Sequence, residues 1–273
     1  MNKLPRKIAF VLMLIGAMTA QAFAQKDGKD TLACREGQDG RRANHCEIKE
    51  QTLPASGGLI KVDGRQNGGV SVKGWERNEI LVRARIQTTA PSQAEADALA
   101  SQIVINTSGA NIFASGPDSR KDHSWSVSFE VFVPRRSDLS LQSHNGGISI
   151  LDVHGRLDFQ AVNGGVVLRR VGGSVHGGTT NGGLVVQLSG DRWDGEELDV
   201  KTTNGGIIMS VPANYSAHLE TGTVNGSLKI GFPVTVQGEI TRELAVNLGS
   251  GGPTIRARTT NGGVIINRSE MAF

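Results

Sequence analysis

The tripeptide Asn-Gly-Gly begins at Asn67, Asn145, Asn163, Asn181, Asn204 and Asn261, and Asn225-Gly226-Ser227 is an altered seventh copy. From Asn145 onward the spacings are 18, 18, 23, 21 and 36 residues. A short word returning about every 20 residues is the mark of a repeat architecture, in which each unit buries its apolar side only against its neighbours. The interval of 36 is twice 18, so a degenerate copy is expected in between, around Asn247-Leu248-Gly249.

Aligning the copies shows what each unit contains. Before the Asn the chain alternates, as in Leu139, Leu141, Ser143; Leu157, Phe159, Ala161; Leu198, Val200, Thr202; and Ile255, Ala257, Thr259. After the glycines it alternates again, as in Ile148, Ile150; Val166, Leu168; Leu184, Val186; Ile207, Met209; and Val264, Ile266. Period two over five or six residues is a half-buried strand. Each unit therefore reads as strand, Asn-Gly-Gly corner, strand and a second turn marked by Gly155, Gly172-Gly173 or Gly190.

Glycine makes up 36 of the 273 residues, and at a sharp corner it adopts positive φ without steric cost. The Asn shares parity with the inward positions before it, and the residue two before it is small: Ser143, Ala161, Thr179, Thr202, Thr223 or Thr259. Two readings of the Asn stay open. Stacked coils would place these side chains about 4.8 Å apart, where amides hydrogen-bond along a column. Alternatively, Asn tolerates a left-handed backbone. Two architectures also fit, a β-solenoid of stacked parallel coils or a series of β-hairpins, for which Asn-Gly is the strongest short signal. Repeated inward parity favours the β-solenoid or β-roll: an all-β fold of short strands with Asn-Gly-Gly corners.

The chain before the repeats differs. Leu59–Val62, Val70–Lys73, Ile80–Ile86, Ile103–Asn106 and Trp125–Val133 read as strands. Ser92 and Glu95 form a capping box ahead of an Ala-rich helical stretch from Ala94 to Ile103. One short helix thus lies near the N-terminal end of an otherwise all-β chain, placed to cover one end of the stack. The expected organisation is a leader over 1–24, a polar segment over 25–52, a β part with the helix over 53–134, and the repeats over 135–273.

Lys3, Arg6 and Lys7 precede an apolar run from Ile8 to Ala20, and Ala22-Phe23-Ala24 fits a small-x-small cleavage site, so Gln25 is the expected mature N-terminus. The run is about 13 residues, short of the ~20 that span a bilayer. The formal charge is +3 on 29 Lys and Arg against 26 Asp and Glu. Removing the leader takes three cations and no acid, leaving 26 of each sign, so the composition gives no reason to expect a nucleic-acid partner. Cys34 and Cys46 are the two cysteines, and an even count in an exported chain predicts a disulfide. The expected location is the periplasm or beyond, with no transmembrane segment in the mature chain.

Several stretches resemble the bacterial "putative adhesin" family of exported, Asn-Gly-rich β-repeat domains. They are Asn67–Trp75, Trp125–Pro134, Thr179–Leu184, Thr202–Ile208, Tyr215–Asn225 and Thr259–Ile265. The resemblance runs over roughly residues 47–268. It implies a β-solenoid or roll outside the cytoplasm and an adhesin-like role, and it supplies no catalytic residues.

The sequence offers little chemistry of its own. There is no His-x-x-x-His or His-Glu-x-x-His, no Gly-x-Ser-x-Gly elbow and no Walker loop, so neither catalytic, metal nor cofactor residues are assigned. One loop concentrates acids beside an aromatic: Asp191, Trp193, Asp194, Glu196, Glu197 and Asp199. A carbohydrate-active β-helix enzyme needs two carboxylates across a cleft, and this loop is the place for such a hydrolase or lyase, or for simple sugar or cation binding. The favoured expectation is a non-enzymatic adhesin-like or envelope-scaffold protein that presents a long face to an extended partner, an envelope polysaccharide or envelope protein.

Overall fold

The computed structural model describes residues 32–34, 42–234 and 242–269. The leader, most of the loop between the two cysteines and Phe273 lie outside the described residues. The N-terminal part runs β1 (Ala43–Pro54), β2 (Ile60–Asp63), β3 (Val70–Trp75), β4 (Glu79–Ala90), α1 (Gln93–Ser101), β5 (Val104–Asn106), β6 (Asn111–Ser115) and β7 (Ser124–Pro134). The repeats supply strand pairs about each corner: β8 (Leu139–Ser143) and β9 (Ile148–Leu151), β10 (His154–Ala161) and β11 (Val166–Arg169), β12 (Gly172–Asn181) and β13 (Leu184–Gln187), β14 (Glu197–Asn204) and β15 (Ile207–Val211). They continue with β16 (Ala217–Asn225) and β17 (Leu228–Ile230), a lone β18 (Glu243–Leu248), then β19 (Thr254–Asn261) and β20 (Val264–Arg268).

These strands form two ten-stranded sheets, ordered β1-β4-β7-β3-β9-β11-β13-β15-β20-β17 and β18-β16-β19-β14-β12-β10-β8-β2-β6-β5. The strands before the corners lie in the second sheet and those after them in the first. An Asn-Gly-Gly corner therefore carries the chain between sheets and is not a hairpin turn. Successive units pair in parallel and in register. Leu139, Leu157, Val175, Leu198, Ile255 and Leu219 make one inward row. Ile148, Val166, Leu184, Ile207, Val264 and Leu228 make the facing one. All but Leu228 are buried, and each full burial contributes roughly 1.5–3 kcal/mol. The sheets are mixed, because β1, β4 and β7 pair antiparallel at one end and β18 pairs antiparallel with β16 at the other.

The corner is held by three columns. The Asn side chains form one hydrogen-bonded ladder. Asn145 Nδ2 donates to Asn67 Oδ1, Asn163 to Asn145, Asn181 to Asn163, Asn204 to Asn181, Asn261 to Asn204 and Asn225 to Asn261, at 2.8–3.0 Å. No described Asn has positive φ, so the ladder reading holds and the left-handed one falls. Beside it, hydroxyls two residues before the Asn donate to the carbonyl of the first corner glycine of the adjoining coil. These are Ser143 to Gly68, Thr179 to Gly164, Thr202 to Gly182, Thr259 to Gly205 and Thr223 to Gly262, at 2.7–2.8 Å. The small residues seen in the sequence are thus buried donors, with Ala161 the gap in the row.

The glycine column corrects the expectation that corner glycines serve positive φ. A Cβ on Gly146, Gly164, Gly182, Gly205, Gly262 or Gly226 would overlap the first-glycine carbonyl of the adjoining coil. The second glycine is less confined: a Cβ on Gly183 comes no nearer than 3.6 Å, to Gly206 O. Its main-chain carbonyl does the work instead, accepting from Val70, Ile148, Val166, Leu184 or Ile207. Ser227 fills this place in the altered copy and accepts from Val264 in the same way. Of the first corner glycines only Gly262 has positive φ, at 157°, and positive φ otherwise recurs after the second turns, where Gly155, Gly173 and Gly195 form another column.

The 36-residue interval also needs correction. No corner lies at Asn247-Leu248-Gly249; residues 243–248 are β18, an antiparallel edge on β16. The last unit in sequence, β19 and β20, inserts between the two before it, with β19 pairing to both β14 and β16. Asn261 accordingly sits between Asn204 and Asn225 in the ladder.

In the N-terminal part the helix has its capping box, Ser92 with Glu95, and packs on β4 and β1. β1 and β6 are strands that the sequence reading lacks. An ionic chain crosses four strands: Glu50 on β1, Arg83 on β4, the fully buried Glu130 on β7 and Lys73 on β3, at 2.6–2.7 Å. Cys34 and Cys46 are disulfide-bonded, and Arg85 Nη1 donates to Ala33 O at 3.1 Å, so Leu32–Cys34 is tied down beside β1 and β4.

The glycine columns predict unequal substitutions. Gly182→Ala should destabilise by roughly 2–4 kcal/mol, since backbone must move. Gly183→Ala should stay within about 1 kcal/mol. Chemical denaturation of the two variants measures the difference.

Candidate functional site

Because the coils are in register, side chains pointing away from the core also form rows. On the outer face of the second sheet one row runs Ser140, Asp158, His176, Asp199, Arg256 and Glu220. The next, one step nearer the corners, runs Gln142, Gln160, Gly178, Lys201, Arg258 and Gly222. Between them is a trough of about 580 Å³, lined by Ser140, Gln142, Asp158, Gln160, Lys201 and Arg258 among others. Its depth comes from the Gly177-Gly178 pair, where a Cβ on Gly177 would strike the Phe159 ring and one on Gly178 the Lys201 carbonyl.

Most charges on this face are satisfied. Arg256 bonds Glu220 at 2.8 Å and Asp199 at 3.0 Å, and Arg258 bonds Glu220 at 2.8 Å. Arg156 reaches Asp158 at 3.0 Å, and His176 lies 3.5 Å from Glu197. The Arg256 hydrogen bond holds the Glu220 carboxyl below its ordinary value, and the two carboxylates raise the Arg256 value in turn. Lys201 has no ion-pair partner among the described residues.

The acidic loop is arranged differently from the sequence expectation. Trp193 is buried in the core and donates from Nε1 to Gly173 O at 3.2 Å, so the loop does not display its aromatic. Asp191 pairs with Arg192 at 3.4 Å, Asp194 with His154 at 3.2 Å and Glu197 with His176 at 3.5 Å, while Glu196 is exposed. Tyr215 is buried close by, and desolvation, helped by Asp191 and Asp194, pushes its phenol up. Among the described residues no three His, Cys, Asp or Glu side chains gather as a metal site. His144, His154 and His176 take separate places, His144 exposed at a corner and the others beside Asp194 and Glu197.

The other sheet presents an apolar row on its outer side: Val167, Val185, Ile208 and Ile265. No described helix is long and apolar enough to cross a membrane. The trough residues carried no motif for a sequence reading to find. The signal available was the Gly177-Gly178 pair at a strand position where other units carry Phe159-Gln160 or Val200-Lys201.

No protein-family model matches the chain, and no curated protein does. Solved structures do resemble it. One is a "putative cell adhesion protein" from Clostridium sporogenes, at 10% identity, covering 82% of this chain and 100% of that one, with a TM-score of 0.45. Another is a "putative adhesin" from Bacteroides fragilis, at 12% identity, 82% and 97% coverage and a TM-score of 0.32. A third is a "putative lipid binding protein" from Parabacteroides distasonis, at 12% identity, 82% and 97% coverage and a TM-score of 0.28.

The Glu220 shift has a consequence for acid stability. A carboxyl whose folded value is depressed adds stability above its unfolded value of about 4.5, and that stability is lost as pH falls through the lower folded value. Glu220→Gln should cost on the order of 1 kcal/mol at pH 7 and make the stability curve flatter below pH ~4.5. Thermal melts of both proteins from pH 7 to pH 3 test this.

Proposed function

We propose that this is an exported, non-enzymatic, adhesin-like protein, a short β-solenoid that holds an extended envelope polymer or envelope protein on its side. The observation that carries the reading is the register. Consecutive coils repeat one outward position about every 4.8 Å, so a rigid stack offers a linear array of polar groups to a linear partner. The in-register parallel pairing and the transfer of the chain between sheets at each corner support the solenoid description. The leader pattern, the disulfide and the resemblance of the repeat words support export. The acidic loop supports the non-enzymatic reading, since four of its five carboxylates, Asp191, Asp194, Glu197 and Asp199, have cationic or His neighbours and its Trp is part of the core.

The test is retention and turnover together. The full chain is incubated with peptidoglycan, capsular and lipopolysaccharide fractions and with solubilised envelope proteins, and both bound protein and new reducing ends are measured. Retention on a fraction without release of ends is the expected result. Release of ends that is lost in Glu196→Gln and Glu197→Gln variants would overturn it in favour of a hydrolase or lyase.

A further inference from the structure

We infer that the trough on the second sheet takes a polysaccharide bearing carboxylates on its sugars, a uronate polymer, with Lys201 as the anchoring cation; this rests on the polymer-binding reading above. The trough crosses β8, β10, β12, β14 and β19, and four intervals of about 4.8 Å give a length of about 19 Å along the stack. It has room for several sugar rings in line, in a volume of about 580 Å³.

The groups along it decide the chemistry. Gln142 and Gln160 are exposed amides, each able to donate and accept, and Ser140 adds a hydroxyl. Such a lining suits a partner dense in hydroxyls. Gly178 interrupts the Gln row, leaving a stretch without a side chain between Gln160 and Lys201 where a sugar ring can lie against the main chain. The next position in the row is Lys201, exposed and without an ion-pair partner among the described residues. Its neighbours Arg258, Arg256, Glu220, Asp199, Arg156 and Asp158 bind one another, and His176 is beside Glu197. Among the described residues that line the trough, Lys201 is therefore the cation left without an ion-pair partner, at the edge of the gap, and a carboxylate there gains a charge-assisted bond; the exposed Lys61, opposite Ser140 on β2, lies beyond that lining.

The same inventory disfavours other polymers. A nucleic acid gains affinity by neutralising many phosphates, whereas the arginines of this face are held by Asp158, Asp199 and Glu220 and the trough lining leaves Lys201 alone to meet an anion. A lipid surface would need a polybasic or apolar face, and the apolar row lies on the opposite sheet.

Calorimetric titration of the full chain with oligogalacturonate, and with the same oligomer after reduction of its carboxyls to alcohols, tests the assignment. The uronate should bind, the reduced oligomer at least about tenfold more weakly. Lys201→Gln should erase that difference, while Lys229→Gln on the other sheet should preserve it. Lys201 points into solvent, so an unchanged melting temperature verifies that the variant folds. Gln142→Ala with Gln160→Ala should weaken both oligomers alike. Equal affinity for the two oligomers, or an unaltered uronate affinity in Lys201→Gln, would overturn the inference while leaving polymer binding intact. Absence of uronate binding would overturn it too; absence of retention on every envelope fraction would remove the broader reading as well.

Discussion

The distance between one coil and the next is set where first-glycine meets first-glycine. At Gly146, Gly164, Gly182 and Gly205 the space a side chain would need is taken by the carbonyl of the adjoining coil. That contact is tolerable only without a Cβ, and everything else at the corner uses the closeness it permits. The Asn amides come within hydrogen-bond reach, the Ser and Thr hydroxyls reach a carbonyl across the coil boundary, and the second-residue carbonyl meets a strand N–H. Each interaction is modest, at about 0.5–1.5 kcal/mol for a net hydrogen bond. Repeated along the stack in one register, they leave little freedom for a strand to slip, because a slip of one residue would turn the buried rows outward.

The outer faces inherit this register. A row of inward aliphatics implies rows of outward side chains one step away, so function on such a body is a matter of which residues occupy those rows. On one sheet they are ionic and amide groups around a trough, and on the other a short β-branched stripe. The ends are closed differently. The second sheet ends on antiparallel strands at both edges and β18 covers the flank of β16, so its parallel ladder is not left open there, whereas the first sheet runs from antiparallel β1 to β17, which pairs parallel with β20.

Much of the fold was legible because strand alternation and the Asn-Gly-Gly word are local signals. The corner Asn, the small residue two before it, the capped helix and the Cys pair all correspond to observed contacts. What the sequence could not convey is long-range. The insertion of Thr254–Arg268 between earlier coils leaves no trace in spacing except an interval that looks like a missed repeat. β1 was missed because, as an edge strand, it is polar on both faces, and Glu50 and Arg83 find each other only across the sheet. The glycines were visible, but their reason was not, since a close approach between coils cannot be told from a left-handed turn by composition. Trp193 looked available in a loop of acids and is in the core. The trough depends on side chains from five strands, none forming a motif.

The central claim is that coils stack through a continuous, one-directional amide ladder. Side-chain amide hydrogen exchange, read by NMR on the full chain labelled at Asn, tests it most directly. The Nδ2 groups of Asn145, Asn163, Asn181, Asn204, Asn261 and Asn225 each donate along the column, and among the described residues Asn67 only accepts. Six slowly exchanging amides with Asn67 exchanging quickly would agree with the account. Uniformly fast exchange across all seven, as for free surface amides, would contradict it.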